Sequence, residues 1–164
     1  MTDDRHSTSD RLPRQRGFTA VRRVWNLSDR ALNGLQPLLS LLARLYVAQV
    51  FFASGLTKLR DWDTTLALFA DEYHVPLLSP QVAAVMGTAG ELVLPVLLVL
   101  GLGGRFAALG LTVVNGVAVL SLSDIAPAAL QQHISWGIVL AALAVFGCGR
   151  WALDTPLQAW LARR

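Results

Sequence analysis

Cysteine, histidine and charged residues are all scarce in this 164-residue chain. The single cysteine, Cys148, excludes an intramolecular disulfide and leaves no CxxC motif for redox chemistry or metal binding. Only 15% of the residues are charged, 54% are hydrophobic and the mean hydropathy is +0.48, which excludes an ordinary soluble domain. The sequence also has no haem ligand pair, no Fe–S cysteine set and no nucleotide-binding glycine loop. This composition favours a membrane protein.

Positive charge is concentrated at the start of the chain, where seven arginines precede the first apolar run: Arg5, Arg11, Arg14, Arg16, Arg22, Arg23 and Arg30. A basic tail of this kind is typical of the cytoplasmic side of a membrane protein and of contact with anionic lipid headgroups. We therefore do not expect nucleic-acid binding, although the net charge is +3. This tail has no apolar core of about 7–15 residues, so a cleaved signal peptide is not expected there.

Four long apolar stretches dominate the rest of the sequence and cover residues 38–59, 81–102, 106–122 and 129–146. The second is 22 residues long, and a helix of that length spans about 33 Å, close to the hydrocarbon thickness of a bilayer. We therefore expect an all-α fold, an integral membrane four-helix bundle. The membrane domain should cover residues 35–156, between a basic tail at 1–34 and a short tail at 157–164.

Two shorter segments have helical periodicity outside these stretches. Residues 18–35 place several apolar side chains, including Trp25, on one helical face, which suits a short interfacial helix before the first span. An irregular basic tail is the alternative for this segment, and residues 1–16 are expected to be disordered. Residues 64–73 predict a second short interfacial helix, between the first and second spans.

The charges of the connecting loops predict an orientation in the membrane. Cations lie in the N-terminal tail, in the 103–105 turn and in the C-terminal tail, whereas the 60–80 and 123–128 connections are acidic. The positive-inside rule then places both termini in the cytoplasm, with four crossings of the membrane.

One carboxylate, Glu91, lies in the middle of the second span, where an unpaired acid costs about 2.5–3.5 kcal/mol on insertion scales. Counting residues from the short turn that follows places Asn115, on the third span, at a similar depth. Arg44 lies about six residues inside the first span, and its long side chain can extend towards Glu91. We expect Arg44, Glu91 and Asn115 to form a buried polar core centred on an Arg–carboxylate pair.

A second polar group is expected near the opposite end of the bundle. Lys58 and His133 lie there on their spans, and the Glu72-Tyr73-His74 stretch lies in the connecting loop. These residues predict an outer cluster that could bind a ligand such as a quinone, because ammonium and imidazole groups donate hydrogen bonds to a carbonyl oxygen. Both clusters also have a purely structural interpretation, in which they only fix helix packing. A lone histidine does not predict a metal site, and no catalytic residue is assigned.

Several of these residues belong to a single ordered motif. It comprises Arg44, then Phe52-x-Ser54-Gly55-x-x-Lys58, the acid Glu91, Gly101, Arg105, His133-x-x-Trp136-Gly137 and a glycine-rich end followed by Asp154. This order and spacing resemble the DoxX family of small four-helix bacterial membrane proteins. The resemblance runs from about Leu38 to Pro156 and does not include the basic tail.

The resemblance implies a redox-associated protein of the bacterial inner membrane. The family takes its name from a subunit of a thiosulfate:quinone oxidoreductase, and the subgroup resembled here often lies beside proteins that modify metal-binding peptides. We therefore expect a non-catalytic membrane subunit or accessory of a redox, sulfur/quinone or metal and oxidative-stress system. The alternatives are a small-molecule or ion transporter or channel that uses the buried polar core, and a quinone-linked oxidoreductase.

A membrane or soluble redox partner protein is also implied, and homo-oligomerisation stays open. If electrons move through this protein, a bound quinone or that partner must carry them.

Overall fold

The structure is a computed structural model that describes residues 14–122, 124–149, 151–155, 160 and 163, with side chains described from residue 21 onward. Over these residues the chain forms five helices: α1 (Arg14–Arg60), α2 (Trp62–Asp71), α3 (Pro80–Leu100), α4 (Gly104–Ser121) and α5 (Pro127–Phe146). Most of the tail predicted to be disordered, and most of the C-terminal tail, lie outside the described residues.

The chain divides into two compact units, Met1–Leu35 and Gln36–Arg164. In the first unit the described residues are helical, and the side chains of residues 21–35 are exposed. The sequence suggested a separate short helix or an irregular tail here, but these residues belong to α1. Neither the Asn33-Gly34 pair nor Pro37 ends α1, although both are helix-ending signals in sequence.

Four helices are long and apolar enough to cross a membrane, namely α1 within Val21–Arg60, α3, α4 and α5. The chain is therefore a multi-pass, all-α membrane protein, which confirms the predicted fold class.

Local signals fix the ends of the second span. Ser79 caps α3 by accepting a hydrogen bond from the Val82 amide at 3.4 Å, and Pro80 is its first residue. Gly101 ends α3 in the left-handed conformation, with a φ of +68°.

The short helix expected between the first two spans is present as α2. It begins two residues earlier than predicted because Asp61 caps it, accepting hydrogen bonds from the Thr64 amide at 3.0 Å and the Thr64 hydroxyl at 2.7 Å. On its inner face Phe69 packs in a small buried cluster with Ala83 and Ala84 of α3. The helix is therefore held against the bundle by side-chain packing.

The second unit has one larger apolar core to which α1, α3, α4, α5 and the C-terminal segment contribute. Its buried members are Val47, Phe51, Leu98, Ala107, Ala108, Leu111, Leu140, Leu143, Cys148 and Ala152. Phe51 of α1 meets Trp136 of α5 edge to face, with 6.0 Å between ring centroids. Small residues on α4 allow close packing of its neighbours, as in other helix pairs within membranes. This packing positions the polar side chains that lie among the spans.

Candidate functional site

A cavity of about 420 Å³ lies within the second unit and is walled by side chains of all five helices and of the loops after α2 and α4. Most of its lining is apolar. The side chains with polar atoms that line it are those of Ser54, Lys58, Tyr73, Glu91, Ser121, His133 and Trp136. Two lining residues, Met86 of α3 and Val113 of α4, are themselves 59% and 64% exposed, so the cavity reaches the outer surface of the bundle between these helices.

Glu91 is paired with Lys58, whose Nζ lies 2.6 Å from Oε2 and 2.7 Å from Oε1. Ser54 completes the network: its hydroxyl accepts from Lys58 Nζ at 2.9 Å and donates to Glu91 Oε1 at 3.3 Å. The network depends on a close approach of α1 and α3 at Gly55, where a Cβ would stand 2.8 Å from Leu92 Cγ. The lysine and glutamate side chains are only 18% and 10% exposed.

The expected pairing of Arg44 with Glu91 is wrong. Arg44 is completely buried, but its Nη1 donates to the Val99 carbonyl oxygen at 3.0 Å, close to the end of α3. Val99 lies eight residues beyond Glu91, which is about 12 Å along a helix and more than the arginine side chain can bridge. Counting residues from the end of each span placed Arg44 too deep in the bundle, whereas Lys58, farther along α1, lies level with the acid.

Arg44 instead belongs to a junction that closes the α3–α4 turn. The last carbonyl groups of α3 have no partners within the helix, and one of them, that of Leu100, accepts from the Leu153 amide at 3.1 Å. The Asp154 carboxylate accepts from the Gly103 and Gly104 amides at 2.9 and 3.1 Å, at the start of α4. A cation at the end of one helix and an anion at the start of the next both suit the helix dipoles.

Asn115 also has a different partner from the one expected. Its Nδ2 donates to the His133 carbonyl oxygen at 2.9 Å, and its Oδ1 lies 2.7 Å from His133 Nδ1. The pair joins α4 to α5, and the imidazole ring meets Trp136 edge to face at 5.0 Å. The residues assigned to two separate clusters therefore pair differently: Glu91 pairs with Lys58, and Asn115 pairs with His133. Glu91, Lys58 and His133 all line the same cavity.

Glu72 and His74, expected in the outer cluster, are exposed and do not line this cavity. Tyr73 between them does line it, and the backbone at this residue forms a bridge with Leu122. Burial raises the pKa of the Tyr73 hydroxyl, and the carboxylates of Glu91 and Glu72 act in the same direction. The hydroxyl is therefore protonated at neutral pH.

Two lining residues, Ser54 and Trp136, were not assigned to the site from sequence. The available signals were spacings: Ser54 precedes Lys58 by four residues and Trp136 follows His133 by three, so each pair shares a helical face. Among the described residues, no group of three histidine, cysteine, aspartate or glutamate side chains is placed to hold a metal ion.

The model of the DoxX family matches residues 39–124, just over half of the chain. An uncharacterized protein of Haemophilus influenzae is 28% identical over 151 residues, which cover 82% of this chain and 98% of that protein. No solved structure matches the chain.

Proposed function

Because the chain belongs to the DoxX family of membrane proteins, we propose that it serves as a membrane accessory of a redox system. Its cavity binds a small lipophilic ring compound of the quinone class. The observation that carries this proposal is a mostly apolar cavity, open towards the lipid, in which two hydrogen-bonded polar pairs are embedded.

The cavity suits such a ligand in size and chemistry. A volume of about 420 Å³ lies in the range of small-molecule sites, roughly 300–1,000 Å³. The apolar wall accommodates a ring and its substituents, and the few polar groups can orient the oxygens of the ring. The opening beside Met86 and Val113 gives a lipophilic molecule access from the bilayer. A bound quinone would supply the electron-carrying chemistry, and a partner protein would exchange electrons with it.

In this proposal the protein lies in the bacterial inner membrane with both termini in the cytoplasm. The cation-rich N-terminal segment supports that orientation. Reporter fusions at Pro76 and after Arg164 should therefore give opposite sidedness. Equal sidedness at the two positions would reject the orientation.

Ligand binding can be tested by filling the cavity without touching its polar groups. Val117 of α4 lines the cavity, so Val117→Phe should occupy part of it and displace a ring compound. Leu109→Phe is the matched control, because Leu109 lies on the same helix, is exposed and does not line the cavity. We would purify both variants, extract and quantify bound quinones, and titrate a decyl-substituted benzoquinone by quenching of tryptophan fluorescence.

We expect the wild-type protein and Leu109→Phe to bind the compound, and Val117→Phe to lose binding while retaining helicity and yield. Equal binding by all three proteins would place the ligand elsewhere. Absence of binding in the wild type, in both redox states of the compound, would reject the proposed function.

A further inference from the structure

The hydrogen bonds of Asn115 determine which nitrogen of the His133 ring carries a proton. A backbone carbonyl oxygen can only accept, so the Asn115 atom 2.9 Å from the His133 carbonyl must be the amide nitrogen. The amide oxygen therefore faces Nδ1 at 2.7 Å, and because this oxygen also only accepts, Nδ1 must be the donor. In a neutral ring with a proton on Nδ1, Nε2 is a hydrogen-bond acceptor.

The surroundings of His133 favour the neutral ring. The residue lies in a spanning helix and lines a mostly apolar cavity, where an unpaired cation is costly. Among the described residues no carboxylate lies within salt-bridge distance of the ring, and Nε2 has no hydrogen-bond partner. His133 therefore offers the cavity a vacant acceptor.

Lys58 cannot serve as a donor to a ligand while its network is intact. An ammonium group has three N–H bonds, and here they meet Ser54 Oγ at 2.9 Å and the two Glu91 oxygens at 2.7 and 2.6 Å. The Ser54 hydroxyl proton is likewise directed at Glu91. The Glu91 carboxylate, with about four lone-pair positions, still has capacity to accept. This pair too offers acceptors, not donors.

Among the remaining polar lining residues, Tyr73 can donate through its hydroxyl and Trp136 through its indole N–H, whereas the Ser121 hydroxyl already donates to the Ala118 carbonyl oxygen at 3.4 Å. A hydroxyl group on a ligand can accept from these donors and also donate to His133 Nε2 or Glu91. A carbonyl group can only accept, and once the ligand has displaced water from the cavity it would leave His133 Nε2 without a partner, which costs binding free energy.

We propose, building on the quinone-class function above, that this cavity selects the hydroxyl-bearing form of its ligand, a phenol or hydroquinone, over the carbonyl-bearing quinone. Asn115 acts as a positioning residue, since it holds the proton on Nδ1 and thereby keeps Nε2 ready to accept. The cavity is therefore a binding site for the reduced, hydroxyl-bearing form of a quinone-class electron carrier.

The test compares the affinities of ligands that differ only in the donor. A 4-alkylphenol and its methyl ether have the same ring and tail, are not redox-active and differ by one O–H. A decyl-substituted hydroquinone and its quinone, titrated without oxygen, provide the redox pair. We expect the hydroxyl compound of each pair to bind wild-type protein about tenfold to one hundredfold more tightly, the range for one buried acceptor left unpaired.

Asn115→Leu should reduce that ratio several-fold, because the imidazole is then free to move its proton to Nε2. Gln132→Ala, an exposed change next to His133, is the control and should leave the ratio unchanged. A measurement on the wild type alone guards against misfolding of the variant: ¹⁵N NMR of labelled histidines, with His133 identified by loss of its signals in His133→Ala, should show the proton on Nδ1.

A quinone that binds as tightly as its hydroquinone, or a proton found on Nε2, would overturn the selection for hydroxyl groups and leave the quinone-class function standing. Failure of all four compounds to bind would overturn both proposals.

Discussion

The pairing of Lys58 with Glu91 makes a quantitative prediction about stability. In Glu91→Leu the ammonium group loses both carboxylate contacts, and in Lys58→Met the carboxylate is left within the membrane without a cation. Breaking a fully buried pair costs about 3–5 kcal/mol. Because the two side chains are 18% and 10% exposed, and lysine can extend towards the nearer interface, we expect a loss of about 2–4 kcal/mol for each single change.

The double variant Lys58→Met with Glu91→Leu should recover much of this loss. It replaces a buried pair by two apolar side chains of similar length, a change that is often neutral or stabilising. The losses should therefore be far from additive, with a coupling of about 1.5–3 kcal/mol. Free energies of unfolding can be measured on the purified proteins by titration with SDS in mixed micelles, followed by far-UV circular dichroism.

A second cycle, with Arg44→Leu and Glu91→Leu, is the matched control. Val99, the residue that binds Arg44, lies about 12 Å along α3 from Glu91. Sites at that separation normally add within about 0.5 kcal/mol. Additive losses in the Lys58 cycle, or a coupling in the Arg44 cycle as large as that in the Lys58 cycle, would refute the assignment of Lys58 as the partner of Glu91.

Two further predictions concern the segment after α5. Asp154→Ala should lower the free energy of unfolding by about 1–3 kcal/mol, because it removes two charge-assisted hydrogen bonds at the start of α4. The control is Asp63→Ala, an exposed change in the first turn of α2, which should lower it by less than about 0.5 kcal/mol. Equal effects of the two changes in a thermal melt would contradict the role of Asp154. Burial raises the pKa of the Cys148 thiol, Asp154 adds to this and Arg44 opposes it. The stability that the protonated thiol contributes is therefore complete below the unfolded pKa of about 8.5 and is lost as the pH rises through the higher pKa of the folded protein. We expect the free energy of unfolding of the wild type to fall more steeply above about pH 8.5 than that of Cys148→Ala. Parallel curves for the two proteins would refute this.

The fold was accessible from sequence because its signals are local. Apolar stretches long enough to span a bilayer, the Ser79-Pro80 start of α3 and the glycine at position 101 each act within a few residues. The features that were not predicted are those that local sequence signals leave open. The basic segment before the first span has helical periodicity, but nothing in its sequence says whether its helix stops before the membrane.

The polar partners were not accessible, because partner choice depends on how far one helix is shifted along another. Arg44 and Lys58 lie on nearly the same face of α1, so periodicity allowed either cation to meet Glu91. The two cations are 14 residues apart, about 21 Å along a helix, and loop positions do not define how far α1 is shifted along α3. Gly55 packs closely against Leu92 of α3, and although a small residue in a span predicts such an approach, it does not show which residue of the neighbouring helix it meets.

The corrected partners also separate the roles of the buried polar residues. Arg44 and Asp154 bind backbone groups at the two ends of the α3–α4 turn, and neither lines the cavity, so their replacement should act on stability. His133 lines the cavity and keeps one ring nitrogen vacant, and a vacant acceptor contributes nothing to the fold. Asn115 is therefore the residue whose replacement should change which ligand is chosen more than how stably the chain folds.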